Sequence, residues 1–148
     1  MEVSIKLADI LSGKAEGTVA VARTALVSEA IKHMAENRCG SVMVADPEGR
    51  PEGIFTERDV LNLMATHGES TGQLKVGDVM TTELITARPD SRLDETLAVM
   101  TGNRCRHMPV LDGGKVVGVV SIGDLVKAKL EQTEFEVESL REYIKVGY

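Results

Sequence analysis

The chain says nearly the same thing twice, and that limits its fold more than any other feature. Glu29, Ile31 and Met34 recur 66 residues later as Glu95, Leu97 and Met100, and Asn37-Arg38-Cys39 recurs as Asn103-Arg104-Cys105. Val44 and Asp46 match Val110 and Asp112 at the same offset. Beyond the turn that follows, the offset drops to 65: Gly53, Thr56 and Asp59 match Gly118, Ser121 and Asp124. The missing residue falls in a hairpin, where loss is best tolerated. Each copy reads β-α-β-β-α by its apolar periodicity. A unit of about 50 to 60 residues buries too little surface to stand alone, so the two copies are expected to share one core.

Taken in order, residues 1–16 hold a short helix over Met1–Leu11 and the approach to the first copy. Residues 17–69 form that copy: strand Thr18–Ala22, helix Leu26–Met34, strands Ser41–Ala45 and Pro51–Phe55, helix Thr56–Ala65. Residues 70–80 are a polar linker ending in one helical turn, Val76–Met80. Residues 81–131 form the second copy: strand Leu84–Ala87, helix Ser91–Thr101, strands His107–Leu111 and Val116–Val120, and a helix from Ser121. Residues 132–148 extend that last helix. Val126, Leu130, Thr133, Val137, Leu140 and Ile144 are spaced 4-3-4-3-4, a heptad seam with one polar break. It fits a partner subunit, the N-terminal helix, or plain docking on its own subunit.

Composition narrows the function. The net charge of −6 argues against nucleic-acid binding through a basic face. No apolar run reaches the roughly 20 residues of a membrane span, and nothing resembles a signal peptide, so a cytoplasmic location is expected. Two cysteines, Cys39 and Cys105, make no disulfide framework. They read as small buried hydrophobes, with a metal or redox site including His107 as the rival. There is no nucleophile triad, metal-ligand spacing, phosphate-binding P-loop or dinucleotide fingerprint. A catalytic role is not expected. His33 and His67 read as helix-surface residues.

The chemistry gathers at the two strand-to-helix turns, Gly53-Ile-Phe-Thr-Glu-Arg-Asp59 and Gly118-Val-Val-Ser-Ile-Gly-Asp124. Each offers bare backbone N–H groups, a positive dipole end and an acid. Thr56 with Asp59, and Ser121 with Asp124, also read as helix capping boxes. A capping carboxylate keeps acceptor sites for a ribose. Arg58 sits in the first helical turn, where the dipole disfavours a cation, whereas Gly123 holds that place in copy two. An incoming anion explains it; a surface pairing with Glu36 or Glu57 is the alternative. Arg106 suits phosphate through its planar fork. His107 is a second donor or simply a structural histidine, and Lys14 is a further phosphate candidate.

These turns, together with Arg106-His107-Met108-Pro109-Val110 and Val76-Gly77-Asp78-Val79-Met80, give the chain a resemblance to tandem cystathionine-β-synthase (CBS) domain pairs. It runs from about Ile10 to Leu130. The resemblance implies an α/β (α+β) fold of two pseudo-twofold-related motifs with two clefts, and disc-shaped homodimers. It implies regulatory adenine ligands: AMP, ADP, ATP, S-adenosylmethionine or NAD(H). It places adenine against Met80, Ile85 and Cys105, and makes Asp59 and Asp124 ribose-binding. Copy two, with Arg106, His107, Ser121, Gly123 and Asp124, is expected to make the stronger cleft, with Arg58 of copy one either across that cleft or beside its own. A sensor of this kind acts on a regulated protein partner. A dimerisation module with empty clefts is the competing expectation.

Overall fold

The computed structural model describes residues 4–14 and 20–146. The order is α1 (Leu7–Ser12), β1 (Ala20–Val21), α2 (Val27–Asn37), β2 (Ser41–Ala45), β3 (Pro51–Thr56) and α3 (Glu57–His67). A 3-10 helix (Gly68–Gln73) leads to α4 (Val76–Val79), α5 (Leu93–Gly102), β4 (His107–Asp112), β5 (Lys115–Ser121) and α6 (Ile122–Val146). β1 runs parallel to β2, which pairs antiparallel with β3; β4 and β5 form a second antiparallel sheet. The fold is therefore the expected tandem pair of α/β motifs, complete as β-α-β-β-α in copy one and without its opening strand in copy two. The anticipated N-terminal helix starts only at Leu7, the first strand ends at Val21 rather than Ala22, and Met1–Val3, Thr18 and Val19 lie outside the described residues.

Leu84–Ala87 is not a strand. Only Ala87 makes a bridge, to Val110, with Ala87 N–H donating to the Pro109 carbonyl at 2.9 Å. Extending this parallel ladder toward Ile85 requires an N–H at the position of Pro109, and proline has none. Copy one has Met43 there, and β1 pairs through both Ala20–Met43 and Val21–Val44. Residues 70–75 are likewise no free linker. The 3-10 helix buries Thr71, whose hydroxyl donates to the carbonyls of Leu63 at 3.1 Å and Gly68 at 2.8 Å.

The apolar interior is two clusters rather than one shared core. Val27, Ala30, Met34, Val42, Val44 and Phe55 of copy one close around Val76. Leu93, Met100, Met108, Val110, Val120 and Leu125 of copy two close around Leu7. Each half is completed by the segment that leads into the other. The backbone repeats the exchange: Val27 N–H donates to Leu74 O at 2.8 Å, and Leu93 N–H to Ile5 O at 2.9 Å. The copies still depend on each other, through exchanged segments instead of a common centre.

Those crossing segments explain the paired glycines. A Cβ on Gly53 would lie 2.5 Å from the Met80 sulfur and 2.9 Å from the Thr81 carbonyl oxygen, which accepts from Ile54 N–H; one on Gly118 would lie 2.5 Å from Leu11 Cδ2. Gly53→Ala is expected to cost about 1–3 kcal/mol, because backbone as well as a side chain has to shift. Urea denaturation measures the loss.

Candidate functional site

One cavity of about 500 Å³ lies between the two copies. Copy one supplies the end of β3 and the first turn of α3, with Ile54, Thr56, Glu57, Arg58, Asp59 and Leu61. Copy two supplies the stretch after α4, with Thr81, Glu83, Leu84 and Ile85, and the loop into β4, with Asn103, Arg104, Cys105, Arg106, His107 and Pro109. Of the expected site residues it brings together Thr56, Arg58, Asp59, Ile85, Cys105, Arg106 and His107. β4 begins at His107, so Arg106 still precedes the strand and the alternation of faces does not separate the two.

Met80 is displaced from this group. Its sulfur lies over Gly53 and it packs on the copy-one core, while its neighbour Thr81 reaches the cavity. Ser121, Gly123 and Asp124 also lie outside the lining, so the cavity joins Arg106 and His107 to copy one's turn rather than to their own. Asp124 folds back on its helix, with Oδ2 accepting from Ser121 N–H at 2.9 Å and Asp124 N–H donating to Ser121 Oγ at 3.0 Å. The Lys14 ammonium, arriving from the other end of the chain, donates to the same Oδ2 at 2.8 Å and to the Val119 carbonyl at 3.0 Å. Burial works to raise the Asp124 pKa, but the Lys14 and Ser121 bonds and the Lys14 charge outweigh it and hold the acid below the ordinary carboxylate value.

Inside the cavity the capping box of α3 is complete. Asp59 Oδ2 accepts from Thr56 N–H at 2.9 Å and from Thr56 Oγ1 at 3.2 Å, and Asp59 N–H reaches Thr56 Oγ1 at 3.3 Å. Among the described residues nothing engages Asp59 Oδ1, which keeps its acceptor capacity. Nor is Arg58, Arg104 or Arg106 in an ion pair among the described residues; Glu36 pairs with Lys32 instead, at 3.9 Å. Three guanidinium groups thus line one cavity without a carboxylate in contact, although Glu57, Asp59 and Glu83 share its wall and offset their charge overall. Ile54, Leu61, Leu84, Ile85 and Pro109 supply an apolar side.

Arg104 is the one cation among the lining residues that motif reasoning passed over. Its φ is +53°, and its counterpart Arg38 has +51°. Both follow a helix end, where glycine normally takes the left-handed conformation. An arginine accepting that strain twice at matched positions is a signal the sequence offers only once the helix ends are known. Cys39 and Cys105 are half-buried free thiols. Each donates to the carbonyl two residues on, Ser41 at 3.3 Å and His107 at 2.8 Å. No group of three metal-ligating side chains occurs among the described residues. No helix there is long and apolar enough to cross a membrane.

His107 stands between the two halves. A Cβ added to Gly40 would be 3.0 Å from its Nε2 and 3.2 Å from the Glu57 carboxyl carbon, so imidazole and carboxylate crowd the same glycine. Burial lowers the His107 pKa below 6.5; Glu57 and Asp124 pull it up without prevailing, and Lys14 and Arg106 add to the lowering. A depressed folded-state value means that the unfolded chain binds the proton more readily. Stability is then full above about pH 6.5 and is lost as pH falls through the lower folded value. His107→Gln is expected to flatten this part of a melting-temperature profile between about pH 7 and 5.

Comparison with known proteins bears on the family and the fold. The CBS domain family matches residues 15–66 and 76–131. A mitochondrial CBS domain-containing protein of Arabidopsis thaliana is 39% identical over 126 residues, which cover 82% of this chain and 61% of that protein. The chain spans about three fifths of the length of the first curated relatives it matches. A crystal structure of a CBS-domain containing protein from Agrobacterium tumefaciens is 35% identical with a TM-score of 0.79, covering 84% of this chain and 99% of that one. Two more distant structures share the fold. One, from Pyrobaculum aerophilum, is complexed with AMP (23% identity, TM-score 0.71, covering 81% of this chain and 89% of that one). The other is a CBS domain pair in complex with 5′-methylthioadenosine and S-adenosyl-L-methionine (22% identity, TM-score 0.78, covering 88% and 99%). With both copies matched in sequence and the paired motifs matched in space, this chain belongs to the CBS domain family.

Proposed function

We propose that the chain is a non-catalytic regulatory module that binds one adenine nucleotide in the cavity between its copies. The observation that carries this reading is the lining. An apolar wall suits a base, Asp59 Oδ1 suits ribose hydroxyls, and Arg58, Arg104 and Arg106 have no ion-pair partner among the described residues, so an anion can engage them. AMP, ADP, ATP and NAD(H) satisfy all three demands. S-adenosylmethionine has no phosphate and brings one carboxylate beside two positive charges, a poorer match for three guanidinium groups. The AMP complex and the S-adenosyl-L-methionine complex of two proteins of the same fold support an adenine-bearing ligand in general, and the three guanidinium groups favour one with phosphate. The module works as a homodimer in which Leu61 and Met64 of α3 and Val99 of α5, all exposed, are covered. Binding then favours one arrangement of the halves over another, and a regulated protein partner responds to that arrangement.

Thermal melting with AMP, ADP, ATP, NAD+, NADH and S-adenosylmethionine tests the proposal. A true ligand at 100 times its dissociation constant stabilises by about 2.7 kcal/mol. A phosphate-bearing adenine ligand is expected to shift the transition and S-adenosylmethionine to do less. If none of the six moves it, a dimerisation module with empty clefts replaces the sensor.

A further inference from the structure

The last helix presents a second apolar stripe that the described residues of its own subunit leave largely exposed. On the inner side of α6, Leu125 is buried and Ile122 and Ala128 pack on the copy-two cluster. Val126, Leu130, Val137, Leu140 and Ile144 lie about 100° around the helix from Leu125, following the rotation per residue. They are 44% to 60% exposed. From Val126 to Ile144 the stripe is about 27 Å long. A single helix of this length is marginal in water unless an apolar face is packed.

We propose that this stripe is the seam of a parallel, in-register, two-stranded coiled coil with the α6 helix of a second copy. The spacing assigns Leu130, Val137 and Ile144 to position a of the heptad, and Val126, Thr133 and Leu140 to position d. Flanking charges decide the direction. In a parallel pair, position g meets position e five residues further on in the partner, so Glu136 meets Arg141 of the partner subunit, twice by symmetry. Neither residue has an ion-pair partner among the described residues of its own subunit, whereas Lys129 already holds Asp94 at 2.9 Å. An antiparallel pair overlapping along the whole seam would set Glu134 against the partner's Glu134, Glu136 against the partner's Glu136, and Lys127 against the partner's Arg141. Thr133 adds to the choice. In register it faces its own symmetry mate, and one polar seam position of this kind fixes alignment. The contact rests on the helix alone and stands apart from the nucleotide reading.

Single cysteines placed at Thr133 and at Leu140 of the full chain test the arrangement, with the unmodified protein, which retains Cys39 and Cys105, as baseline. Under mild oxidation both variants are expected to give a covalent dimer on a non-reducing gel. Adding Val137→Asp to either is expected to abolish it, with the melting transition of the body retained. Glu136→Arg and Arg141→Glu are each expected to slow cross-linking, and the two together to restore it. Cross-linking at only one of the two cysteines, at neither, or undiminished with Val137→Asp would overturn the seam. Failure of the double charge exchange to restore it would overturn the parallel pairing.

Discussion

Shortening Leu7 to alanine is expected to destabilise the protein by about 2–5 kcal/mol, although Leu7 lies ahead of both repeats. The side chain is fully buried, and the residues around it, Leu93, Met100, Met108, Val110, Val120 and Leu125, all belong to copy two. Its removal leaves a void against strands and helices tied down elsewhere, so little collapse can offset the lost contact. The backbone beside it is equally committed, with Leu7 N–H donating to Ser91 O at 2.9 Å and Ala8 N–H to Pro89 O at 2.9 Å. At about 2–4 °C per kcal/mol for a chain of this size, the shift is easily read by calorimetry. A loss below about 1 kcal/mol would mean that residues 4–12 merely lie on the surface, and that copy two closes its own core.

That exchange of segments marks the boundary of what the sequence carried. The doubled pattern was legible because Glu29/Glu95, Met34/Met100 and Asp59/Asp124 serve local jobs, such as helix faces and caps, that leave the same residue types in both copies. Which copy Leu7 or Val76 completes is a question of long-range packing, and an apolar residue in a short helix does not name its neighbour. The strand expected at Leu84–Ala87 failed for a reason held by another residue: Pro109 withholds the donor that Met43 supplies in copy one. Within the site, Thr56, Arg58, Asp59, Ile85, Cys105, Arg106 and His107 came from the motifs and meet at one cavity. Motif spacing could not tell that the turn at Ser121–Asp124 would stand elsewhere, its acid engaged by Lys14 from 110 residues away. Asn103, Arg104 and Thr81 line the cavity through loop geometry, to which periodicity is blind.

Arg106→Ala is expected to weaken ATP or ADP binding by about tenfold to a hundredfold, the usual worth of a hydrogen bond to a charged group. Arg58→Ala should fall in the same range, and the double variant should lose less than the product, because both groups face one anion. Arg104→Gly separates binding from folding. The backbone there has φ +53°, which glycine adopts without the roughly 1 kcal/mol that a side chain costs, so the substitution is expected to raise the melting temperature while lowering nucleotide affinity. Titration calorimetry of the unmodified chain and the four variants with ATP and with adenosine measures the affinities, and thermal melting of the same proteins measures the stability change. Adenosine lacks the phosphates, so its affinity should hardly respond to any of the arginines. Equal losses for ATP and adenosine would mean that the guanidinium groups shape the cavity wall rather than hold an anion, and the phosphate would then have to lie elsewhere.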